Sequence, residues 1–332
     1  MSRPRTAMPA RSEDVRPFER AGVPARWVSE NVLALAADGP RTGRVSARFE
    51  STLHLDVGGF VVAVLPPGAP RMPNGVSVAG ALAGARVPEV GDRVLLTRGG
   101  LRVGLVEIPW GDDRSGRWDA RVTRWTDEQR RGLRERANAI LGAAADAGDR
   151  ADACEDARAG EPARRLADTL ARAGGFASDD VETRAALETL LAAVRSGDPR
   201  HAARAGRELA GRGSGLTPAG DDVLAATALT FAAAGPARAR RRAWLAALAP
   251  ADLRRLTTSV SATLLELAVR GCGIGPARAL LDPRRPHDRR LRRELAALRG
   301  LGHTSGAVYA ATIGVVALVL APDENHTTHD KE

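Results

Sequence analysis

The stretch "GRGSGLTPAGDDVLAATALTF", residues 211–231, decides much of the fold of this chain. Glycines alternate from Gly211 to Gly215, a Leu-Thr-Pro step and two aspartates follow, and then comes a long apolar run. Glycine accepts a positive φ and proline suits the first helical position, so the stretch predicts a glycine loop that leads into a buried helix. We expect Thr217 to cap this helix and Pro218 to begin it.

The sequence on both sides of this stretch is helical in character. After about Thr126 it is rich in Ala, Leu, Arg and Glu at helical spacing, which predicts an all-α domain over residues 126–322. Helices that begin near Pro218, Asp252 and Gly306 carry little charge, so we expect them to form the central layer. The predicted helices span residues 127–147, 161–173, 180–195, 200–210, 218–234, 238–248, 251–270, 287–299 and 305–320.

The N-terminal part has the pattern of strands. Alternating apolar residues between about Thr42 and Val122 predict a mainly β domain over residues 21–125, either a small antiparallel sheet or a barrel. The segment "DRVLLTRGGLRVGLVEI", residues 92–108, predicts a hairpin that turns at Gly99–Gly100. The fold class is therefore α+β. The polar ends, residues 1–20 and 323–332, are expected to be disordered.

The net charge of +9 raises the question of nucleic-acid binding. Lys331 is the only lysine, aromatic residues make up only 3% of the chain, and arginines stand beside nearly as many acids, so we expect no nucleic-acid partner. The densest basic run, Arg238–Arg242, is typical of a solvated helix face. Without a suitably placed lysine, the sequence excludes a Schiff base, a pyridoxal phosphate linkage and a Walker phosphate loop.

Apolar runs and cysteine content indicate the cellular compartment. No uncharged apolar run is as long as the roughly 18 residues of a membrane span, and the opening residues lack the apolar segment of a secretory signal. Two cysteines, Cys154 and Cys272, are too few for a disulfide framework. We expect a cytoplasmic protein with no membrane partner.

The glycine loop, residues 211–217, has the composition of an anion-binding nest at a helix start. The candidate substrate-binding residues are Gly213, Ser214, Gly215 and Thr217. Asp221 and Asp222 follow in the first turn, where carboxylates either stabilise the helix dipole or serve catalysis. Because a helix turns about 100° per residue, we expect the two to point apart, with only one on the buried face.

A second loop repeats this design. In "LRGLGHTSGAVYAATIGVVALVLAP", residues 298–322, an apolar helix follows His303, Thr304, Ser305 and Gly306. These residues are candidates for substrate binding, with His303 as a candidate general base. Between the two loops, Thr258 begins a third helix with hydroxyls on an apolar face. The alternative for both segments is ordinary capping, with hydroxyls bonded to the neighbouring turn.

Three stretches of the sequence together resemble the family of AllH, which is a subunit of oxamate carbamoyltransferase. They are "GSGLTPAGDDVLA" at 213–225, "TTSVSATLLELAVRG" at 257–271 and "GHTSGAVYAATIG" at 302–314. The stretch at 51–78, which contains a Pro-Asn-Gly step, resembles the strand-rich half of that family. The resemblance covers about residues 25–320. Where this family usually has a serine the chain has Ala219, and where an acidic residue often follows the second Ser-Gly it has Ala307 and Val308.

The resemblance implies a place in a multi-subunit enzyme. That enzyme exchanges oxamate and carbamoyl phosphate with oxalurate and phosphate in anaerobic allantoin breakdown, and its other components are FdrA-like and large partner subunits. Carried over to this sequence, the shared site comprises Gly213, Gly215, Thr217, Asp221 and Asp222, lined by Thr258, Ser305 and Gly306.

Three functions stay open on the sequence alone. The first is a carbamoyltransferase subunit that binds a small anionic metabolite such as carbamoyl phosphate or oxamate. The second is a non-catalytic anion-binding or assembly subunit. The third is a stand-alone hydrolase of a phosphorylated small molecule that uses Asp221 or Asp222 with magnesium, the one cofactor that the sequence leaves open.

Overall fold

A computed structural model of the chain describes residues 22–80, 87–111, 116–145, 163–236, 238–284, 289–302 and 304–322. The strands all precede residue 119, and every regular element described after Thr126 is a helix. The predicted α+β class is confirmed, with a curled sheet followed by a helical region. The two predicted disordered ends lie outside the described residues.

The described strands form one sheet of nine, in the order β8-β7-β6-β2-β3-β4-β5-β1-β9. It is mostly antiparallel, as predicted, but β4–β5 and β1–β9 are parallel pairs. The predicted hairpin is present, with Thr97 opposite Gly100 across the turn. The bounds are β1 Ala25–Ser29, β2 Arg41–Arg48, β3 Leu53–Val57, β4 Phe60–Leu65, β5 Gly75–Val78, β6 Arg93–Thr97, β7 Gly100–Val103, β8 Val106–Pro109 and β9 Gly116–Trp118.

Alternation along β3 shows that this strand turns one face to the core, whereas β4 and β5 are buried on both faces. Leu53, Leu55 and Val57 of β3 are buried, while the residues between them are partly exposed. A helix that the sequence analysis missed, α1 (Glu30–Ala37), covers part of this face with Val32 and Ala36. It is short, and Ser29 caps it by accepting a hydrogen bond from the Asn31 N–H at 3.3 Å.

The helical region follows the predicted pattern, with two corrections. The predicted helix at 127–147 is interrupted after Arg130, and the one at 251–270 is interrupted at Thr257–Thr258. The helices are α2 Asp127–Arg130, α3 Leu133–Ala145, α4 Ala163–Gly174, α5 Val181–Ser196, α6 Pro199–Leu209, α7 Ala219–Ala234, α8 Arg238–Leu248, α9 Leu253–Leu256, α10 Ser259–Ala268, α11 Gly275–Leu280, α12 Arg289–Arg299 and α13 Ser305–Leu320. The sequence analysis also missed α11.

Helices α7 and α13 form the centre of the helical region and are buried along nearly their whole length. They pack against each other, and α10 packs against α7, in agreement with the predicted central layer. Phe231 of α7 stacks on Trp244 of α8 with ring centroids 3.9 Å apart. Burial of a side chain of this size contributes roughly 1.5–3 kcal/mol, so the end of α7 is held firmly.

A third apolar cluster joins the sheet to the helices. Trp27 and Trp118 of the sheet pack edge to face within it, and Leu267 of α10 and Cys272 belong to the same cluster. The Val61 N–H also donates to the Thr263 hydroxyl at 3.1 Å, so a polar group of β4 is satisfied by α10. Among the described residues, no helix is long and apolar enough to cross a membrane.

Candidate functional site

The starts of α7 and α13 lie side by side. Pro218 occupies the N-cap position of α7 and forms no side-chain cap, so our expectation that Thr217 caps the helix is wrong. The Thr217 hydroxyl instead forms a hydrogen bond of 2.9 Å with the hydroxyl of Ser305, the first residue of α13. The structure thus brings the glycine loop and the second loop (residues 302–306) together.

The three glycines of the glycine loop have positive φ but different surroundings. A Cβ at Gly211 would lie 2.0 Å from the Leu256 carbonyl oxygen, and one at Gly213 would lie 2.7 Å from the Ala219 nitrogen. Both glycines therefore permit close backbone packing. A Cβ at Gly215, by contrast, would meet nothing within 4 Å, so space for a side chain is available there. Its φ of +90° is the constraint at that position.

The exposed part of the glycine loop presents backbone donors. None of the described residues accepts a hydrogen bond from the N–H groups of residues 213–217, and residues 213–216 are exposed. The loop is held instead by its Leu216 carbonyl, which accepts from the hydroxyls of Thr258 at 2.6 Å and Ser261 at 3.5 Å. A fixed loop with unpaired N–H groups has the character of an anion-binding nest.

Asp221 is buried and fully engaged by the protein. Its carboxylate accepts hydrogen bonds from the Gly211 N–H at 2.8 Å and from the Thr257 hydroxyl. Burial raises the pKa of Asp221, and hydrogen bonds from Thr257, Gly211 and Ser261 act against that rise. This side chain therefore ties the glycine loop to the segment before α10.

Asp222 is also buried, with 4% of its surface exposed. Our expectation that only one of the two aspartates lies on a buried face is therefore wrong, because α7 is covered on all sides. The Oδ2 atom of Asp222 has no hydrogen-bond partner in the described structure. Burial raises the pKa of Asp222 to about 7, and the negative charge of Asp221 adds to the rise.

Ser305 is the polar neighbour of Asp222. Its hydroxyl is close enough to lower the pKa of Asp222 somewhat, although its hydrogen bond at 2.9 Å is to Thr217. Ser305 therefore links the loop hydroxyl of Thr217 to the buried acid.

The remaining candidate site residues are Gly306, Thr304, Thr258 and His303. A Cβ at Gly306 would lie 1.9 Å from the Leu298 carbonyl oxygen, so this glycine lets α13 approach α12 closely. Thr304 is the N-cap residue of α13 but forms no side-chain cap. Thr258 caps α10 by accepting from the Ser261 N–H at 3.1 Å. His303, the candidate general base, lies outside the described residues.

Two residues near the carboxylates escaped the sequence analysis. Thr257 donates to Asp221. Tyr309 is buried, and burial together with the charges of Asp222 and Asp221 raises its pKa well above the usual value. Tyr309 is the only tyrosine in the chain, four residues after Ser305 in an apolar helix. This spacing places both on one helix face and was the available signal.

The donor set does not favour a metal. The described residues contain no group of three or more His, Cys, Asp or Glu side chains that could hold an ion. Both oxygens of Asp221 accept hydrogen bonds from the protein. Asp222 is therefore the only carboxylate here with an oxygen left for a ligand.

These features define an α+β protein with a buried acid between two glycine-led helix starts. Residues 209–318 match the family model described as oxamate carbamoyltransferase subunit AllH. This range contains both loops, and the family resemblance seen in the sequence is confirmed over it. The resemblance of the sheet stays a prediction. No curated protein and no solved structure matches the chain.

Proposed function

We propose that this chain is a subunit of a carbamoyltransferase-type enzyme similar to oxamate carbamoyltransferase. The site lies at the paired starts of α7 and α13 and binds a small anion such as carbamoyl phosphate or oxamate. The observation that carries the proposal is the buried Oδ2 of Asp222, which has no hydrogen-bond partner among the described residues. A buried polar atom without a partner costs about 1–3 kcal/mol, and a bound substrate would supply the missing hydrogen bond.

The anionic part of the substrate binds at the glycine loop. The unpaired N–H groups of the glycine loop, whose residues 213–216 are exposed, and the positive end of α7 attract a phosphate or carboxylate group. Ser214 adds an exposed hydroxyl, and Thr217 and Ser305 add a hydroxyl pair at the adjoining helix start. Backbone donors stabilise the negative charge that develops during acyl transfer without any lysine.

Asp222 accepts the proton that the transfer reaction releases. The amide nitrogen of the acceptor attacks the carbamoyl carbon, the new N–C bond forms, and the bond from that carbon to the phosphate oxygen breaks. The nitrogen loses a proton, which the Asp222 carboxylate accepts. A pKa of about 7 suits this task, because a carboxyl group whose pKa lies near the working pH is partly deprotonated and still basic enough to accept a proton. His303 and Thr304 are the further groups proposed beside Ser305.

Asp221 positions the loop rather than reacting. Its oxygens are occupied by Gly211 and Thr257, so it holds the glycine loop against the start of α10. A magnesium-dependent hydrolase that works alone would have Asp222 as its available carboxylate ligand among the described residues of this site, and we favour the transferase subunit because the family match supports it. The partners in the proposed hetero-oligomer are FdrA-like and large subunits in the cytoplasm.

The test is reconstitution of this chain with its FdrA-like and large partner subunits. Phosphate release from carbamoyl phosphate is measured with oxamate as acceptor, for the wild type and for Asp222→Asn. We expect the variant to lose about a hundredfold in rate. Asp127→Asn, at a side chain that is 99% exposed, is the matched control and should keep full activity. Full activity of Asp222→Asn would contradict the proposal.

A further inference from the structure

A concave site lies on another part of the helical region, away from the proposed acyl-transfer site. It is a cleft of about 470 Å³ between the segment before α2, the end of α7, helix α8 and the turn after α10. Five of its lining residues are arginines, and the others are apolar residues or glycine, with no acid among them. These arginines, which define the arginine cleft, are Arg121, Arg124, Arg241, Arg242 and Arg270.

The arginine cleft is separate from the proposed acyl-transfer site. Ala232 lines it near the end of α7, whereas Asp222 is in the first turn of the same helix. Ten residues of helix separate the two, which corresponds to about 15 Å. A ligand in the cleft therefore does not reach Asp222.

Three of the five cleft arginines have no acid paired with them among the described residues. Arg124, Arg242 and Arg270 form no ion pair with any described residue. Some arginines elsewhere are paired with acids, as Arg204 is with Glu208 at 2.8 Å. Guanidinium groups that face one cleft repel each other, and a bound anion would remove that repulsion.

The arginines come from three separate segments of the chain. Arg241 and Arg242 belong to α8, Arg121 and Arg124 precede α2, and Arg270 follows α10. Arg242 of the basic run Arg238–Arg242 is exposed, as predicted for a solvated helix face, and the cleft also draws arginines from two other segments. Convergence of distant segments on one concave volume is typical of a binding site.

We propose that the arginine cleft binds a small molecule that carries two or more phosphate groups joined to an apolar or aromatic part. Guanidinium groups recognise phosphate oxygens through paired, charge-assisted hydrogen bonds. The cleft volume lies within the range of about 300–1,000 Å³ that small-molecule sites occupy. Its apolar lining, which includes Val122 and Leu245, suits a ring or an alkyl chain. Nucleoside polyphosphates have this chemistry.

The experiment is calorimetric titration of the full chain with ATP, at low and at raised salt. We expect saturable binding to one site that weakens as salt rises. Arg242→Glu and Arg270→Glu should each weaken ATP binding about tenfold or more. Arg200→Glu, an exposed position on α6, is the matched control and should leave the affinity unchanged. Because Arg242 and Arg270 are exposed, thermal melting should show all variants folded.

Several results would overturn the proposal. These are no saturable ATP binding to the wild type, an equal loss of affinity in Arg200→Glu, or full affinity in both cleft variants. Binding of a nucleic-acid duplex or an acidic peptide in place of ATP would also overturn it. Asp222→Asn separates this proposal from the proposed function. It should leave ATP affinity unchanged, and loss of ATP binding in that variant alone would assign the ligand to the other site.

Discussion

The hydroxyl oxygens of Thr217 and Ser305 lie 2.9 Å apart, although 88 positions separate the two residues in the chain. This contact fixes the start of α7 beside the start of α13. It also places a hydroxyl next to the buried carboxyl group of Asp222. The geometry of the candidate site therefore depends on a long-range contact.

The hydroxyl pair should make a measurable contribution to stability. Thr217→Val and Ser305→Ala remove one partner each, and a hydrogen bond of this kind contributes about 0.5–1.5 kcal/mol. Urea unfolding of both single variants and of the double variant gives the coupling energy of the pair. We expect about 1 kcal/mol of coupling, and strictly additive effects would show that the contact does not form in solution.

Protonation of Asp222 should make stability depend on pH. Its folded pKa of about 7 lies above the unfolded value of about 3.9, so between these pH values the folded chain holds a proton that the unfolded chain has lost. The stabilising contribution is complete below about pH 4 and is lost as the pH rises towards 7.

The comparison that isolates this effect is the wild type against Asp222→Asn. Across the window from about pH 4 to 7, the wild type should lose unfolding free energy relative to the variant by up to about 1.4 kcal/mol per pH unit. Above this window the difference should stay constant. A constant difference at every pH would show that Asp222 titrates normally.

The two neighbouring aspartates should respond oppositely to the same change. Asp221→Asn replaces one carboxylate oxygen by an NH2 group, so either the Gly211 N–H or the Thr257 hydroxyl loses the oxygen that accepts its hydrogen bond. We expect a loss of about 1–3 kcal/mol. Asp222→Asn should cost nothing at neutral pH, because it removes a charge from a buried site. Denaturant unfolding of both variants measures the contrast.

Substitutions at Gly306 and Gly215 should distinguish a role in packing from a role in ligand binding. Gly306→Ala places a Cβ against the Leu298 carbonyl and should destabilise the fold by about 1–3 kcal/mol or more. Gly215→Ala enters open space, so its cost of roughly 1–3 kcal/mol comes from the positive φ alone. Only the second substitution changes the exposed part of the glycine loop. Phosphate-induced stabilisation, measured by thermal melting, should therefore fall in Gly215→Ala and persist in Gly306→Ala.

Much of the fold could be predicted from periodicity and composition. The predicted helix at 218–234 agrees with α7 to within one residue, because a proline and an apolar run mark its start and length. The helix at 251–270 was predicted without its break, since the capping signal of Thr258 lies inside an otherwise helical pattern. Short helices such as α1 give too few residues for a periodic signal.

The site was less predictable, because its key properties come from long-range packing. The sequence indicated both loops but not that two adjacent aspartates would both be buried. That result requires partners on every side of α7, which a helical pattern does not reveal. Likewise, the arginine cleft gathers residues as distant as Arg121 and Arg270, and nothing in either local sequence indicates the meeting.

If Asp222 serves a ligand between the two helix starts, its replacement should abolish ligand binding and leave the fold intact. The most direct measurement is thermal melting of the wild type and Asp222→Asn at neutral pH, each alone and with carbamoyl phosphate or oxamate. We predict that the unliganded variant melts at the same temperature as the wild type or higher, and that the ligand-induced rise in melting temperature is lost. A variant that melts lower and keeps the full ligand-induced rise would show that Asp222 stabilises the fold and does not serve a ligand.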